Sequence, residues 1–334
     1  MDLSIIIVNW NSKDFLRKCL QSVRANPPRC SFEIIVVDGG SFDGCDEMLA
    51  REFPEVVFVQ SRENVGFARS NNLGVESAEG AAFLFLNPDT EVMDAALDGL
   101  LAVLAGHLDA GIVAPKLLNS DGSLQTSCVQ ALPTLLNQMF DSVLLHRLFP
   151  RSRLWGMSAL WSDGSPAVVE AVPGACLLIR ANLFRRLGGF GPLYFMYGED
   201  MDLCARTRQA GFSVFYASTA RVLHHGGGSS KNEGSRFSNV MLRESVHCYF
   251  KQNHGAGAAA GYRVAILGCA LIRLLLLLPV CLSRNNKRRS AFQKWIANLR
   301  WAVGLESWAA SYRPVPVALP VAPGQAVQSS VGVR

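Results

Sequence analysis

Short apolar segments alternate with amphipathic ones along the first 115 residues of the chain. The segment Leu3–Val8 (LSIIIV) is almost wholly apolar and β-branched, which is typical of a strand buried on both faces. Between Ser12 and Val23, apolar residues recur at helical spacing, and Ser12 is a suitable N-cap. Because strand and helix patterns continue to alternate, the sequence predicts βαβ units. The expected fold class is therefore α/β, with a mostly parallel sheet flanked by helices.

The predicted strands share an apolar composition and are Leu3–Val8, Phe32–Val37, Val56–Gln60, Ala81–Leu86, Gly111–Ala114, Ala175–Ile179 and Phe212–Ala217. The predicted helices show suitable caps or helical spacing and cover 12–23, a segment from Ser41 or Asp43 to Leu49, Gly66–Ser77, Asp94–Ala105, Asp200–Ala210 and Ser238–Gln252. Residues 133–161 lack clear caps and are expected on the surface of the sheet. Gly255, Gly257 and Gly261 predict a flexible linker, and the aperiodic tail at 313–334 is expected to be disordered.

One long apolar segment, Val264–Leu282, contains a single charged residue, Arg273, and is followed by the basic cluster Arg284–Arg289. A spanning helix needs about 20 apolar residues. A charge at the bilayer centre costs roughly 2.5–3.5 kcal/mol, and Pro279 would kink the helix. If the rest of the chain is cytosolic, a single span would also place the basic cluster on the opposite side of the membrane, against the positive-inside rule. We therefore expect an in-plane or re-entrant membrane helix, with a true span and a buried core helix as alternatives.

Charge is unevenly distributed between the two ends of the chain. The 334 residues include 32 basic and 27 acidic residues, for a net charge of +5. Residues 251–334 contain eleven of the basic residues and one acidic residue, Glu306, so the remaining 21 basic and 26 acidic residues give residues 1–250 a net charge of −5. A mildly acidic globule with a basic tail argues against a nucleic-acid partner. It favours contact of residues 262–300 with an anionic membrane surface.

The nine cysteines are scattered, and no two of them form a CxxC pair. This pattern favours reduced thiols over a disulfide framework or a cysteine zinc site. The start of the chain lacks the basic and long apolar regions of a secretory signal peptide. Together these features favour a cytosolic setting.

Polar residues follow each of the first four predicted strands. These loops contain Asn9 to Asn11, Asp38 to Gly44, Arg62 to Phe67 with Arg69 and Asn71, and Asn87 to Thr90. In doubly wound sheets, ligands bind at the carboxyl ends of the strands. Four polar loops at one sheet edge therefore predict a binding site there.

Eight motifs occur in an order that resembles family 2 glycosyltransferases of the GT-A fold, in particular their rhamnosyltransferase-like bacterial branch. The motifs are Ser4–Asn11 (SIIIVNWN), Val36–Gly44 (VVDGGSFDG), Asn64–Phe67 (NVGF) with Asn71, Phe85–Asp89 (FLNPD), Val172–Ala175 (VPGA), Gly188–Phe190 (GGF), Gly198–Leu203 (GEDMDL) and His224–Ser229 (HHGGGS). The resemblance covers about residues 3–250. The sequence departs from the family pattern at Gly39, where the family commonly has Asn, and at Asn87-Pro88-Asp89, where only the last position is acidic.

The resemblance implies a domain organisation. Residues 1–235 would form the GT-A catalytic domain, with a nucleotide-sugar half at about 1–115 and an acceptor half at about 116–235. Beyond the resemblance, the residue pattern predicts a helix and linker at 236–260 and membrane-associating basic and apolar helices at 261–312. The implied location is the cytoplasmic face of the bacterial inner membrane.

The resemblance also assigns roles to residues. The implied nucleotide-sugar-binding residues are Asn9, Asn11, Asp38, Gly40, Asn64, Gly66, Arg69, Asn71 and Asn87. Asp38 would accept a hydrogen bond from the nucleobase, with a turn-capping role as the alternative. Asp89 and His224 would hold Mg²⁺ or Mn²⁺ on the diphosphate, with His225 as the alternative ligand. Asp200, at the start of a helix, would be the general base, and Glu199 would orient the acceptor or have a structural role.

Aromatic residues give two further hypotheses. Leu193–Tyr197 could line the acceptor site or form a buried strand. Trp155 and Trp161 could stack on sugars, although packing at the surface is favoured over this role.

The implied activity is an inverting, metal-dependent transfer of a sugar, with rhamnose from dTDP-rhamnose as a candidate. The acceptor would be a hydroxyl of a lipid-linked glycan in cell-surface polysaccharide synthesis. A non-catalytic membrane-bound scaffold is the main alternative. A sugar nucleotidyltransferase is disfavoured because Asn9-Trp10-Asn11 is not the basic, glycine-rich loop that such enzymes have after the first strand. The sequence leaves the donor sugar, linkage, choice of ion and oligomeric state open.

Overall fold

The structure is a computed structural model that describes residues 1–140, 143–161, 164–226, 235–278 and 286–312. Its strands are β1 (Leu3–Asn9), β2 (Phe32–Asp38), β3 (Val57–Gln60), β4 (Ala82–Leu86), β5 (Thr90–Val92), β6 (Ala110–Leu118), β7 (Ala167–Val169), β8 (Cys176–Arg180) and β9 (Ser213–His224). The predicted disordered tail, the end of the apolar segment after residue 278 and the Gly227–Ser229 part of the last motif lie outside the described residues.

The helices are α1 (Lys13–Ala25), α2 (Cys45–Glu52), α3 (Phe67–Glu76), α4 (Ala96–Gly106), α5 (Leu135–Phe140), α6 (Val143–Leu148), α7 (Ala181–Arg186), α8 (Glu199–Gln209), α9 (Ser235–Leu277), α10 (Asn286–Ala302) and α11 (Trp308–Ser311). Two 3₁₀ turns cover Thr126–Cys128 and Met157–Trp161. The α/β fold with helices flanking a central sheet is confirmed, and the first five predicted helices are present within a few residues of their expected bounds. The helix predicted at Ser238–Gln252 is part of the much longer α9.

The nine strands form one mixed sheet in the order β3-β2-β1-β4-β8-β6-β9-β5, with β7 paired to β9. The first four strands are parallel, as predicted, and their register places Asn9 opposite Asp38 at the carboxyl edge. Beyond β4 the sheet is not mostly parallel, because β8 runs antiparallel to both β4 and β6. β5 and β7 also pair antiparallel with β9.

The core lies on both faces of this sheet, as expected for apolar segments covered by helices. Residues of β1 such as Ile5 and Ile6 are fully buried, and α3 packs against β1 and β2. Around β4 the rings of Phe85, Phe184 and Phe190 pack with centroids 4.7–5.4 Å apart. Buried aromatic pairs at such distances contribute about 0.5–1.5 kcal/mol beyond their buried area. This core holds the carboxyl ends of β1, β2 and β4 in fixed positions.

The structure has eight free cysteines among the described residues.

The long helix α9 differs from expectation. The flexible linker predicted at Gly255–Gly261 is wrong, because the helix is interrupted only at Gly255, whose φ of 84° and ψ of 173° are non-helical. Gly257 and Gly261 lie within the helix that resumes after it. A single glycine in the left-handed region changes the helix direction without a longer loop.

The helices α9, α10 and α11 share a second apolar core. Its largest members are Trp301, Tyr262 and Phe250, and Phe195 and Tyr197 from the loop before α8 pack against it. The C-terminal helices are therefore packed onto the part of the chain that leads into α8.

The stretch Arg236–Leu277 is, within the described residues, the one helix long and apolar enough to cross a membrane. One such helix is weak evidence for a span, and 22% of its most apolar window is buried. The distal half exposes Val264, Ile272 and Leu276 by 61–71%, so it is not a buried core helix.

Candidate active site

A cleft of about 550 Å³ lies at the carboxyl edge of the sheet. It is bounded by the loops that follow β1 to β4, by Pro173–Ala175 before β8 and by Phe195–Met201 at the start of α8. His224 at the end of β9, Gln130 after the first 3₁₀ turn, and Phe237, Leu242 and Tyr312 of the C-terminal helices complete its lining. The cleft therefore joins both halves of the sheet to the C-terminal helices.

The predicted site residues fall into two groups. Those that line the cleft are Asn64, Gly66, Asn87, Asp89, Glu199, Asp200 and His224. Those that do not line it are Asn9, Asn11, Asp38, Gly40, Arg69 and Asn71. The structure thus brings both predicted metal ligands and the predicted base to one cavity.

Asp38 and Asn9 lie behind the cleft and are fully buried. One Asp38 oxygen accepts hydrogen bonds from Asn9 Nδ2 at 3.0 Å and from the Ser41 hydroxyl. The other accepts from the Ser41 and Phe42 amides at 3.0 and 3.1 Å, and from Gln60 Nε2 at 2.8 Å. Burial opposes ionisation, but these hydrogen bonds from Ser41, Gln60, Phe42 and Asn9 outweigh it and lower the pKa of Asp38. The Asp38 carboxylate therefore stays ionised and fixes the loop after β2.

The half-buried Asp43 contacts the same residues. Its oxygens accept hydrogen bonds from Asn9 Nδ2 at 3.2 Å and from the Lys13 amide at 2.9 Å. Asp38, Asp43 and Cys45 have potential ligand atoms within 4.8 Å of one another. Burial, with the charges of Asp38 and Asp43, raises the pKa of the Cys45 thiol, and a protonated thiol is a poor metal ligand. The protein's own donors therefore account for the position of these carboxylates.

Close backbone approach explains two of the predicted glycines. Gly40 has φ +79°, and a Cβ there would lie 2.6 Å from the Glu63 carbonyl carbon. Gly66 has φ +86°, and a Cβ there would lie 2.3 Å from the Phe195 carbonyl oxygen. The next amide, Phe67 N, donates to that same oxygen at 2.7 Å. Gly66 therefore lets the loop after β3 contact the chain that leads into α8.

The amides and the arginine near α3 differ in exposure. Asn64 is exposed, and its Oδ1 accepts a hydrogen bond from the Gly66 amide at 3.0 Å. Asn71 is buried and donates to the Phe67 carbonyl at 2.9 Å. Arg69 is half-buried, and Asn11 is exposed with a φ of 51°. Of these four, Asn64 alone reaches the cleft.

Asp89 and His224 face each other in the cleft. The pairing of β5 with β9 places Thr90 opposite His224, which brings His224 Nε2 to 3.4 Å from Asp89 Oδ1. The other ring nitrogen, Nδ1, is 2.8 Å from Gln125 Oε1. Gln125 Nε2 donates to Asn119 Oδ1, and Gln125 Oε1 faces His224 Nδ1. The imidazole nitrogen Nε2 and the Asp89 carboxylate oxygen that face each other are a donor set suited to a divalent cation.

His225 has a different environment. Its Nε2 lies 2.8 Å from Glu91 Oε1, and its Nδ1 lies 2.8 Å from the Ser120 hydroxyl. Both ring nitrogens have protein partners, and His225 does not line the cleft. Of the two candidate histidines, the structure therefore favours His224.

Asn87 and Asp89 are close neighbours on the cleft wall. The Asn87 amide donates to the Ala175 carbonyl at 2.9 Å, which fixes its backbone. Its side-chain Oδ1 is buried and has no hydrogen-bond partner within the part of the chain that the structure describes. Such an oxygen is available to a bound donor group.

Glu199 and Asp200 occupy the first turn of α8, after Gly198 in a left-handed conformation. Asp200 accepts hydrogen bonds from the Gly174 amide at 3.0 Å and the Met201 amide at 2.8 Å. Burial raises the pKa of Asp200, while these amides lower it. A carboxyl held by backbone amides with a raised pKa is suited to accept a proton.

Glu199 is 5% exposed, and its Oε2 has no hydrogen-bond partner among the described residues. Burial, and next the charge of Asp200, raise the pKa of Glu199 well above its ordinary value. The next acid, Asp202, points away from the cleft and pairs with Arg206 Nε at 2.7 Å. Two adjacent carboxyls in the cleft therefore differ in their hydrogen bonding.

Several cleft residues were missed or left open by the sequence. Phe195, Met196 and Tyr197 line the cleft, whereas Trp155 is buried against His146 and neither it nor Trp161 lines the cleft. Phe237, Leu242 and Tyr312 were not predicted at all, and Tyr312 directly precedes the tail expected to be disordered. Nothing in the local pattern of these three residues indicates that they meet a distant sheet edge.

Comparisons with known proteins agree on the family. Residues 4–150 match the model described as glycosyl transferase family 2. The chain is 26% identical over 300 residues to the N-acetylglucosaminyl-diphospho-decaprenol L-rhamnosyltransferase of Mycobacterium tuberculosis (strain CDC 1551 / Oshkosh), covering 86% of this chain and 96% of that protein. It is 26% identical over 232 residues to the rhamnosyltransferase WbbL of Escherichia coli (strain K12), covering 66% of this chain and 82% of that protein.

The solved structures agree on the fold. The mannosyltransferase PcManGT from Pyrobaculum calidifontis, in complex with GDP-Man and Mn²⁺, superposes with a TM-score of 0.52 at 16% identity. The match covers 90% of this chain and 86% of that one. At this level of identity the likeness shows a shared fold.

Proposed function

Because the chain belongs to family 2 of the glycosyltransferases, we propose that it transfers a sugar from a nucleoside diphosphate sugar to a hydroxyl of a lipid-linked glycan. L-Rhamnose is the candidate sugar, since two relatives are rhamnosyltransferases by name. The setting would be synthesis of a bacterial surface polysaccharide. The observation that carries the proposal is that Asp89, His224 and Asp200 line one cleft.

In this proposal the loops of the parallel strands hold the donor. Asn64, Gly66 and Asn87 reach the cleft and would contact the nucleotide sugar. Asn9, Asp38, Gly40 and Asn71 would act by fixing those loops, as their buried or close backbone contacts indicate. Direct contact of Asp38 with a nucleobase stays a prediction that needs one of its present donors to be displaced.

Asp89 and His224 would hold Mg²⁺ or Mn²⁺. Their oxygen and imidazole donors suit both ions, and the Gln125 contact would orient the His224 ring. When bound, the ion would neutralise charge on the diphosphate leaving group.

Asp200 would act as the general base. Its carboxylate would take the proton of the acceptor hydroxyl as that oxygen attacks the anomeric carbon from the face opposite the diphosphate, giving inversion. The Gly174 and Met201 amides would keep the carboxylate oriented while its charge changes. Glu199, buried beside it, would orient the acceptor.

The C-terminal helices would attach the protein to the cytoplasmic face of the membrane. The distal half of α9 exposes Ile272, Leu275 and Leu276, and α5 beside it exposes Met139. Arg273 donates to the Met139 carbonyl at 3.2 Å and lies 4.4 Å from the centre of the Trp295 ring. These contacts tie α9 to α5 and α10, which supports an in-plane apolar surface over a solitary span.

Thermal shift tests the donor site. The purified protein is screened with nucleoside diphosphates and nucleotide sugars, with and without Mn²⁺, since a ligand of the folded state raises the Tm. We expect a metal-dependent shift with one nucleotide, lost in Asp89→Ala, and rhamnosyl transfer with the matching donor. A folded protein with no shift and no transfer would instead favour a non-catalytic scaffold.

Vesicle flotation tests the membrane surface. The double variant Leu275→Glu/Leu276→Glu is expected to lose binding to anionic vesicles, whereas Leu108→Glu, at a remote residue that is 91% exposed, serves as the matched control. Deleting residues 262–334 is a poorer test because it also removes buried Trp301. Equal flotation of the double variant and the control would contradict this membrane surface.

A further inference from the structure

Aromatic rings from three parts of the chain meet at one wall of the cleft. Tyr312 packs against Phe195 with ring centroids 4.7 Å apart and against Phe237 at 5.6 Å. Phe237 also stacks on Trp308 at 5.5 Å with an interplanar angle of 17°. Phe195, Phe237 and Tyr312 line the same cleft as Asp200. We call these three residues the aromatic wall.

A buried carboxylate holds the aromatic wall in place. Glu306 has a fully buried side chain that accepts hydrogen bonds from Arg236 Nη2 at 2.7 Å and Arg300 Nε at 2.7 Å. It also accepts from the Trp308 indole at 2.6 Å. Arg236 directly precedes Phe237, and Trp308 lies one helical turn before Tyr312. The single acid of the basic C-terminal region thus connects the start of α9 to the segment that ends at Tyr312.

The aromatic wall is partly exposed, unlike a core cluster. Tyr312 is 41% exposed, and Phe195 and Phe237 are half-buried. Ligand sites combine such apolar surfaces with a few placed polar groups. In this cleft the polar groups that belong to the donor half are Asn64, Asn87 and Asp89, so the aromatic wall is left for the other substrate.

We propose that the aromatic wall is a subsite for the acceptor, and that it stacks on the C–H face of the pyranose ring that carries the attacked hydroxyl. The inference rests on the proposed transferase function. It adds that residues of the C-terminal helices, outside the matched family domain, determine acceptor affinity. Stacking fixes the ring plane, and Asp200 in the same cleft receives the hydroxyl proton. The Glu306 contacts make Glu306 a positioning residue for this subsite.

Tyr312→Ala tests the proposal. The probes are N-acetylglucosaminyl diphosphate linked either to a polyprenyl chain or to a short alkyl chain, with dTDP-rhamnose as donor. We expect the KM for both acceptors to rise about tenfold, the effect of truncating one aromatic anchor of a binding surface. Tyr312→Phe, which keeps the ring, is expected within about twofold of the unmodified protein. Phe149→Ala removes a ring that is 60% exposed and does not line the cleft, and it is the matched control.

The outcomes separate this inference from the proposed function. In Tyr312→Ala the Mn²⁺-dependent thermal shift with nucleotide should persist, which shows a folded donor site. An unchanged acceptor KM in that variant would overturn the proposal that the aromatic wall binds the acceptor, while leaving the proposed transferase function intact. A loss confined to the polyprenyl acceptor would overturn stacking on the sugar. Absence of transfer by the unmodified protein with either acceptor would instead be a failure of the proposed function.

Glu306→Gln tests the positioning role of Glu306. It removes the charge that pairs with Arg236 and Arg300, and we expect an acceptor KM raised in the same direction together with faster proteolysis after residue 303. Adding Tyr312→Ala to this variant should raise the KM little further, because both changes act on one subsite. Full additivity of the two changes would overturn the positioning role.

Discussion

Two sets of carboxylates at the same sheet edge have opposite environments. Asp38 and Asp43 are surrounded by protein donors, and Asp38 alone accepts five hydrogen bonds. Asp89 and Glu199 are also buried, yet they line the cleft, and Glu199 keeps one oxygen without a partner among the described residues. Position near the end of a strand therefore does not by itself distinguish a carboxylate that fixes a loop from one that lines the cleft.

The largest effect is expected for Asp200→Asn, which replaces the proposed base without changing its size. General base catalysis contributes about a hundred- to ten-thousandfold, so we expect kcat to fall about a thousandfold. The nucleotide-dependent thermal shift should remain. The measurement is initial-rate transfer with saturating donor, and near-normal kcat would place Asp200 with the structural carboxylates.

A comparison of His224→Gln with His225→Gln tests which of the two histidines binds a cation. We expect His224→Gln to lower transfer about a hundredfold at a limiting Mn²⁺ concentration, with partial recovery as Mn²⁺ is raised. His225→Gln should keep most activity, because its ring bridges Glu91 and Ser120 outside the cleft. The assay is transfer as a function of Mn²⁺, and equal losses in both variants would contradict the assignment.

Asp38→Asn is expected to act on stability. The substitution leaves the hydrogen-bond donors of Ser41, Phe42 and Gln60 facing an amide. We expect the free energy of unfolding near neutral pH to fall by about 2–3 kcal/mol, which chemical denaturation measures. Since the pKa of Asp38 is lowered in the folded protein, its contribution is present above pH 3.8, the ordinary value, and is lost as the pH falls. The difference between the two proteins should therefore shrink in acid. A stable variant that has lost only nucleotide affinity would support the direct contact with the base.

Glu199→Gln should give the smallest effect, and it should stabilise the protein where Asp38→Asn destabilises it. The pKa of Glu199 is raised in the folded protein, so ionisation opposes folding once the pH exceeds 4.5, the ordinary value. The variant is expected to have a Tm a few degrees higher near neutral pH, with the gain vanishing towards pH 4.5. Differential scanning calorimetry over this range measures it. A variant less stable than the parent at every pH would indicate that Glu199 has a partner.

The sequence was sufficient where the structure is local. Apolar segments identified β1 to β4 and their polar ends, because β1, β2 and β3 pair in parallel with neighbours connected by one helix and β4 adds to β1 as a further parallel strand. It failed for β5, β7 and the second half of β9, where Ser218, Thr219 and Arg221 interrupt the apolar pattern. Those segments become strands because distant partners supply their hydrogen bonds.

The same reasoning applies to the candidate site. Asp89, Asp200 and His224 were identified from motifs, and the cleft brings them together. That Asp38 is enclosed by donors depends on loop geometry, which the sequence does not show. Tyr312 lies far along the chain from every other cleft residue of the sheet, so only tertiary packing reveals it.

The pairing of β5 with β9 also sets the order in which the protein becomes functional during synthesis. Domains fold from the N-terminus as the chain leaves the ribosome, and non-local strand pairs form late. A nascent chain that ends before β9 carries every polar loop of the parallel strands but lacks the partner of Asp89. Incomplete chains therefore lack the contact between Asp89 and His224, and chains that end before Tyr312 also lack part of the cleft wall. The cleft is complete only after a residue more than 80 positions beyond His224 has been added.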